Sequence, residues 1–328
     1  MDKENKENGI SPTKKRKLST GVDCIKEKGD LTQYFEKGDH SVNLLYQSEV
    51  PQICKDEPCL LGVDEAGRGP VLGPMVYGVA YAPLSKKQLL IDLGCADSKS
   101  LTEEKRDAIF DKICLKSEEM GWAVDAISPN YISNNMYRRT KTSLNEVSMC
   151  SAANLIKLAI QAGVNLAEVY VDTVGKPEKY QARLQQIFPD LKIVVEKKAD
   201  STFPIVSAAS ICAKVSRDHA LRAWQFREAE FSSDYGSGYP NDPATKKWLT
   251  ENIDQTFGFP MLVRFSWSTA ETILESKALT VEWEEEEDDA CPTNKKISNY
   301  FTRTPKKEKK KEKHNFFKTR FLSNAIDL

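Results

Sequence analysis

Asp64, Asp172 and Asp200 stand apart from the other carboxylates of the chain by what precedes them. Cys59–Val63 runs into Asp64 and Glu65, Glu168–Val171 runs into Asp172, and Ile193–Val195 leads to Lys197-Lys198-Ala199-Asp200. Short apolar runs bounded by polar residues are the pattern of buried strands. Acids gathered at neighbouring strand ends repel, and each raises the other's pKa unless a cation lies between them. A hard divalent ion such as Mg²⁺ suits that place, because it takes carboxylate, water and phosphate oxygens and needs neither His nor Cys. Two such ions about 4 Å apart can activate a water and stabilise the leaving oxygen of a phosphodiester. Taken singly, any of these aspartates could equally cap a helix or meet a lysine, since spacing alone does not prove convergence.

The segment from Gly62 to Pro74 adds weight. Glycines at 67, 69 and 73 and prolines at 70 and 74 demand an unusual backbone path beside Asp64, Glu65 and Arg68. Exposed amides and an arginine at close range suit a sugar-phosphate. A plain turn would explain the glycines but not the acids or the arginine.

The elements that must hold these residues alternate between strand and helix, which predicts an α/β layer fold. A second extended run covers Val71–Ala82. Helices are expected over Leu101–Ser117, with its start signal at Ser100 to Glu104, over Asn145–Ala162, and from Val206 to about Glu228, where Ala208, Ala209, Ser210 and Ala213 permit close packing on a sheet.

With 328 residues and compositional shifts at both ends, a single folded body between tails is expected: a basic disordered tail over 1–45, the folded domain over 46–275 and a charged disordered tail over 276–328. The net charge of -1 sums over segregated blocks, basic at Lys14–Lys17, acidic at Glu284–Asp289 and basic again at Lys306–Lys313, so it does not exclude a nucleic-acid partner. The eight cysteines include no Cys-x-x-Cys pair and there are three histidines, which argues against a zinc cluster. The start Met-Asp-Lys-Glu-Asn is not that of a signal peptide, and no apolar stretch reaches spanning length. The expectation is a soluble, intracellular protein with no membrane partner and reduced, mostly buried cysteines.

Asp64-Glu65-Ala66-Gly67-Arg68-Gly69 resembles the signature of type 2 ribonucleases H. The likeness continues in order through Asp97-Ser98-Lys99-Ser100-Leu101, Val171-Asp172-Thr173-Val174-Gly175, Lys198-Ala199-Asp200 and Ser207–Asp218. Gly236–Pro243 and Phe265-Ser266-Trp267 complete it, in the form typical of the eukaryotic catalytic A subunit, so that the likeness covers residues 55–275 and neither tail. It implies a ribonuclease H-like mixed β-sheet flanked by helices, with a C-terminal helical extension. It implies an endonuclease for the RNA strand of RNA/DNA hybrids that also incises 5′ of single ribonucleotides in duplex DNA, leaving 5′-phosphate and 3′-hydroxyl ends.

On matching positions, the resemblance implies that Asp64, Glu65, Asp172 and Asp200 hold two Mg²⁺ or Mn²⁺ ions, with Asp218 a rival for the fourth place. Gly67, Arg68 and Gly69 would read the ribose 2′-hydroxyl, the group that distinguishes RNA from DNA. Tyr239 would stack on the next sugar, unless it is a core tyrosine in its turn. Lys99, Thr269, Lys214 and Arg217 are candidate contacts to phosphate or the DNA strand, or else solvated surface residues. Two non-catalytic partner subunits are implied, and residues 244–280 are the expected place for part of that interface.

The tails carry further candidates. Lys14–Lys17 is a basic cluster of the kind importins bind, which predicts a nuclear protein. Leu31, Tyr34 and Phe35, and again Ile297, Tyr300 and Phe301, share the spacing of sliding-clamp peptides, although Lys28 and Asn294 stand where the leading Gln is usual. Lys-Glu-Asn at 3–5 and 6–8 resembles a degradation signal. A catalytically silent scaffold subunit, recruiting replication partners through its tails, is the alternative function.

Overall fold

The computed structural model describes residues 23–95, 101–173 and 175–280. These belong to one unit that ends at Thr280. In chain order the elements are β1 (Asp23–Cys24), α1 (Lys28–Lys37), β2 (Leu44–Gln47), α2 (Gln52–Asp56), β3 (Cys59–Ala66), β4 (Met75–Pro83), α3 (Lys87–Asp92), α4 (Glu103–Leu115), β5 (Gly121–Ile127), α5 (Pro129–Tyr137) and α6 (Leu144–Gln161). There follow β6 (Leu166–Asp172), α7 (Pro177–Ile187), β7 (Lys192–Glu196), α8 (Ala199–Thr202), α9 (Pro204–Arg222), α10 (Pro243–Glu251) and α11 (Ser268–Lys277).

Among the described residues the strands form one mixed sheet of order β1-β2-β5-β4-β3-β6-β7. β2, β5, β4 and β3 are successively antiparallel, whereas β3, β6 and β7 run parallel. Parallel neighbours end at the same edge of a sheet, so the acids that close β3 and β6 arrive together. β3 and β4 are buried almost throughout, because helices cover both faces.

On one face lies α9, whose Ser207, Ala208, Ala209, Ser210 and Ala213 are all buried. Small side chains let its backbone come so near β3 that a Cβ at Gly62 would lie 2.6 Å from the Val206 nitrogen. On the other face α6 buries Val147, Ala152, Leu155, Ile156 and Ala159. Alternation along β3 therefore sends Asp64 toward α9 and Glu65 toward α6. A third cluster gathers Val71 and Leu72 with Trp248, Leu249, Phe259, Leu262, Val263 and Ala270, which docks the C-terminal helices on the glycine-rich loop.

Several expectations need correction. The fold begins at Asp23 rather than at residue 46: α1 is amphipathic, and Leu31 and Phe35, four residues apart, are wholly buried against the sheet and α9. Leu31, Tyr34 and Phe35 are thus core-packing residues and not a clamp peptide; Phe35 meets the Tyr46 ring edge-on at 5.7 Å. The fold also runs past 275, to the end of α11 at Lys277. The strand expected from Val71 starts only at Met75, since Val71 and Leu72 give their amides to the Gly238 carbonyl. Thr102 caps α4, within the expected start signal; α9 stops at Arg222 rather than near Glu228; and the C-terminal helical part consists of α10 and α11 with turns between them. Residues 1–22 and 281–328, and with them Lys14–Lys17, Ile297, Tyr300 and Phe301, lie outside the described residues, as does Lys99. The seven cysteines described are free, with Cys54, Cys59, Cys95 and Cys212 buried and Cys24 and Cys150 exposed. No described helix is long and apolar enough to cross a membrane.

Candidate active site

β3 and β6 pair in register through Val63 and Val171, which leaves Asp64 and Asp172 side by side as the next residues of their strands. Asp64 is only 5 % exposed. Its Oδ1 accepts the Glu65 amide at 2.8 Å and its carboxyl also hydrogen-bonds Ser210 of α9. Burial, then the charges of Glu65 and Asp172, hold the Asp64 carboxyl well above the usual carboxylate range. Asp172 is half-buried, and its Oδ1 accepts the Ala199 amide at 2.8 Å, tying the end of β6 to the start of α8. Asp200 follows at once, 1 % exposed. Between β7 and α8 Lys198 adopts φ 60°, a left-handed conformation that strains a residue with a Cβ. That turn brings Asp200 back toward β6.

Asp218 is elsewhere. It pairs with Arg106 of α4 at 3.0 Å, while burial lifts its pKa. Asp218 is thus engaged by α4, whereas Asp200 directly follows the Ala199 amide that Asp172 holds.

Gly67 turns the chain out of β3 with φ 74°. Two arginines, one buried and one half-buried, fix the loop beyond it. Arg264, wholly buried, donates from Nε to the Gly73 carbonyl at 2.8 Å, from Nη1 to the Arg68 carbonyl at 3.1 Å and from Nη2 to the Gly67 carbonyl at 2.6 Å. Arg217 donates to the Pro74 carbonyl at 3.3 Å and to the Leu72 carbonyl at 3.4 Å. Arg217, a candidate groove or surface residue, thus turns its guanidinium to the carbonyls of this loop. The Trp267 indole donates to the Gly69 carbonyl at 3.0 Å, with the Arg264 guanidinium 4.8 Å from its ring centre. With the carbonyls of Gly67, Arg68 and Gly69 all held inward, the loop is a preorganised ridge.

An alanine at 67 would need that left-handed φ and would set its Cβ 2.9 Å from the Pro74 carbonyl and against the Arg217 side chain. Gly67→Ala is expected to cost about 1–3 kcal/mol, seen as a lower urea midpoint at unchanged slope.

Arg68 reaches sideways to α6, donating to Ser148 Oγ at 2.7 Å and to Asn145 Oδ1. Tyr239 is 51 % exposed and stands beside Gly69, which excludes the core-tyrosine alternative. Its turn is held by Asp242, the cap of α10, whose carboxylate accepts the Ser237 amide at 2.7 Å, the Ser237 hydroxyl at 2.6 Å and the Ala244 amide at 2.9 Å. These bonds lower the Asp242 pKa from 3.8 to about 2. A depressed folded pKa means that the cap's stabilisation is present above pH 3.8 and is lost as pH falls toward about 2. Acid titration of wild type should loosen this turn in that window, followed through Trp248, whose indole donates to the Ser232 carbonyl at 2.7 Å; Asp242→Asn should remove the transition.

Thr269 lies in the first turn of α11, two residues beyond Trp267, and Lys214 is half-buried on α9. Pattern reasoning missed Arg264 altogether. Its one signal was its place directly before Phe265-Ser266-Trp267.

Acids at the ends of parallel strands, under a glycine-rich ridge and between helical layers, define a ribonuclease H-like nuclease. A model of the ribonuclease HII family matches residues 61–270. The A subunit of ribonuclease H2 from Mus musculus is 53% identical over 284 residues, 86% of this chain and 94% of that one. Among solved structures, ribonuclease H2 from Pyrococcus horikoshii OT3 superposes with TM-score 0.56 at 34% identity, over 66% of this chain and 98% of that one. RNase HII of Archaeoglobus fulgidus, in a structure of its complex with PCNA, gives TM-score 0.54 at 32% identity, over 65% and 96%. The chain belongs to the ribonuclease HII family. It is a ribonuclease H, an endonuclease that hydrolyses RNA/DNA hybrids.

Proposed function

We propose that this endonuclease cuts the RNA strand of hybrids and incises 5′ of single ribonucleotides embedded in duplex DNA, at the edge carrying Asp64, Glu65, Asp172 and Asp200. The observation that carries the reading is the placing of Asp64 and Asp172 side by side, each one residue past the last register pair of β3 and β6, with Asp64 buried against its own charge near a half-exposed ridge and an exposed tyrosine.

The donor set fits divalent cations. Asp64 is kept from ionising comfortably by burial and by two neighbouring acids, the situation a cation relieves. Among the described residues no group of three or more His, Cys, Asp or Glu side chains is gathered closely enough to hold an ion by itself. Mg²⁺ or Mn²⁺ bound at these acids would have to complete its shell with water and substrate phosphate. When bound, a pair of such ions would supply Lewis acidity and a water activated for attack on phosphorus, giving 5′-phosphate and 3′-hydroxyl ends.

The chain's own residues do the rest. Amides of the Gly67–Gly69 ridge, fixed from below by Arg264 and Arg217, meet the ribose 2′-hydroxyl and reject its absence. Tyr239 stacks on the following sugar, so that an RNA-to-DNA junction is tolerated. Full-length protein with divalent cation should nick a duplex bearing one ribonucleotide on its 5′ side and leave all-DNA duplex intact; equal cutting of both would refute the reading.

Assembly with two non-catalytic subunits belongs to the same proposal, supported by the name of the mouse relative and by Phe257, 85 % exposed between α10 and α11. So does clamp binding through Ile297, Tyr300 and Phe301, for which the Archaeoglobus complex is the precedent. Replacing Tyr300 and Phe301 by alanine should abolish clamp pull-down, and unchanged binding would exclude that peptide. Nuclear entry through Lys14–Lys17 completes the proposal; alanines there should leave a tagged chain in the cytoplasm.

A further inference from the structure

On the α6 side of the sheet, beside the acidic edge, lies a cavity of about 470 Å³ between α6 and α7. One wall is acidic, formed by Glu65 and Asp172. The other is basic. Arg68 reaches it from the ridge, and Lys176 and Lys179 stand at the first turn of α7. Within the same lining Arg183 and Glu146 neutralise each other at 2.6 Å. Arg68 is oriented by the neutral partners Ser148 and Asn145. The positive end of α7 adds to the field of the basic wall.

A second observation points independently to a ligand. The Tyr180 hydroxyl, in the cavity's lining, is shielded from solvent and has no hydrogen-bond partner among the described residues. A buried donor left unsatisfied is costly, so such groups commonly mark the seat of a water, ion or ligand. A phosphate oxygen entering between Lys176 and Lys179 would supply the acceptor it lacks.

We infer that the α6–α7 cavity is a subsite for a backbone phosphate of the cleaved strand, next along from the scissile one, held by Lys176, Lys179 and the Tyr180 hydroxyl. The assignment rests on the hydrolytic edge proposed above: the acidic wall faces the bond that breaks, and the basic wall takes the neighbouring phosphodiester. The two walls together fix the direction in which the strand crosses the edge. None of the three residues touches the reacting atoms, so they are positioning residues whose effect falls on binding.

The test is equilibrium binding of fluorescent RNA/DNA hybrid to the full-length chain in chelator, over a series of salt concentrations, for wild type, the Lys176→Ala/Lys179→Ala double variant and Tyr180→Phe. One lost phosphate contact should lower the slope of log affinity against log salt by about 0.7–0.9 in the double variant, with a roughly tenfold weaker affinity at low salt. Tyr180→Phe should weaken binding several-fold with its melting temperature unchanged or raised, because it deletes an unsatisfied group. In turnover with divalent cation both variants should raise KM and leave kcat within twofold. Wild-type affinity and slope in both variants would overturn the subsite. Equal weakening on hybrid and all-DNA duplex, where wild type does not prefer the hybrid, would uphold the phosphate site and refute the hybrid reading instead.

Discussion

Asp64→Asn should cripple hydrolysis without weakening the fold. The substitution keeps the shape of the side chain, and the amide oxygen can still accept the Glu65 amide now held at 2.8 Å. What disappears is a negative charge that burial, Glu65 and Asp172 all disfavour. In the absence of divalent cation the variant should therefore melt at or above the wild-type temperature, as is common when a strained functional group is removed. Its rate on hybrid should fall by about 10²–10⁴-fold, the range for losing a group that acts directly on the reacting centre. Wild type should gain thermal stability on adding Mg²⁺ or Mn²⁺, by the linkage that any ligand of the native state obeys, and the variant should gain much less. Melting curves with and without cation, alongside single-turnover rates, separate these effects. A variant that cuts normally would remove Asp64 from the site, and one that melts far lower would make it a structural residue.

The second large effect concerns stability. Phe35→Ala is expected to cost about 3–5 kcal/mol, the range for emptying a buried aromatic position. Phe35 is wholly buried, with its ring edge-on to Tyr46 at 5.7 Å and stacked against His40 at 6.3 Å. α1, which carries it, packs on α4 and α9, where Lys28 pairs with Asp111 at 2.7 Å and Thr32 with His219 at 2.9 Å. Were residues 31–35 a free peptide awaiting a clamp, the same change would leave the urea midpoint where it was. A shift in midpoint at unchanged slope decides between the two.

These residues also show what the sequence could and could not disclose. The hydrolytic edge was legible because β3 is buried on both faces and β6 and β7 carry short apolar runs, so the acids that follow those runs stand out. Asp200 stood ahead of Asp218 by its Lys-Ala-Asp context, whereas the ion pair of Asp218 with Arg106, 112 residues away, was beyond any local pattern. α1 was missed for a similar reason: only Leu31 and Phe35 are wholly buried among its polar residues, with Tyr34 partly so, and the core that receives them comes from β2, β5 and α9. β5 was obscured by Asp125, whose carboxyl is covered by the Ser151 hydroxyl at 2.5 Å. Arg264 could be found only through its acceptors, the carbonyls of Gly67, Arg68 and Gly73, which lie on the far side of the sequence. Contacts of this kind are set by the closure of the sheet, and no local period encodes them.

The central claim, that the carboxylate edge of β3 and β6 hydrolyses the RNA strand, is tested most directly with Asp172→Asn. The measurement is the single-turnover rate on an RNA/DNA hybrid and on all-DNA duplex of the same sequence, at saturating protein and divalent cation. Wild type is expected to cut only the RNA strand, and Asp172→Asn to bind the hybrid but cut it about 10²–10⁴-fold more slowly. Cutting at the wild-type rate by Asp172→Asn would contradict the account.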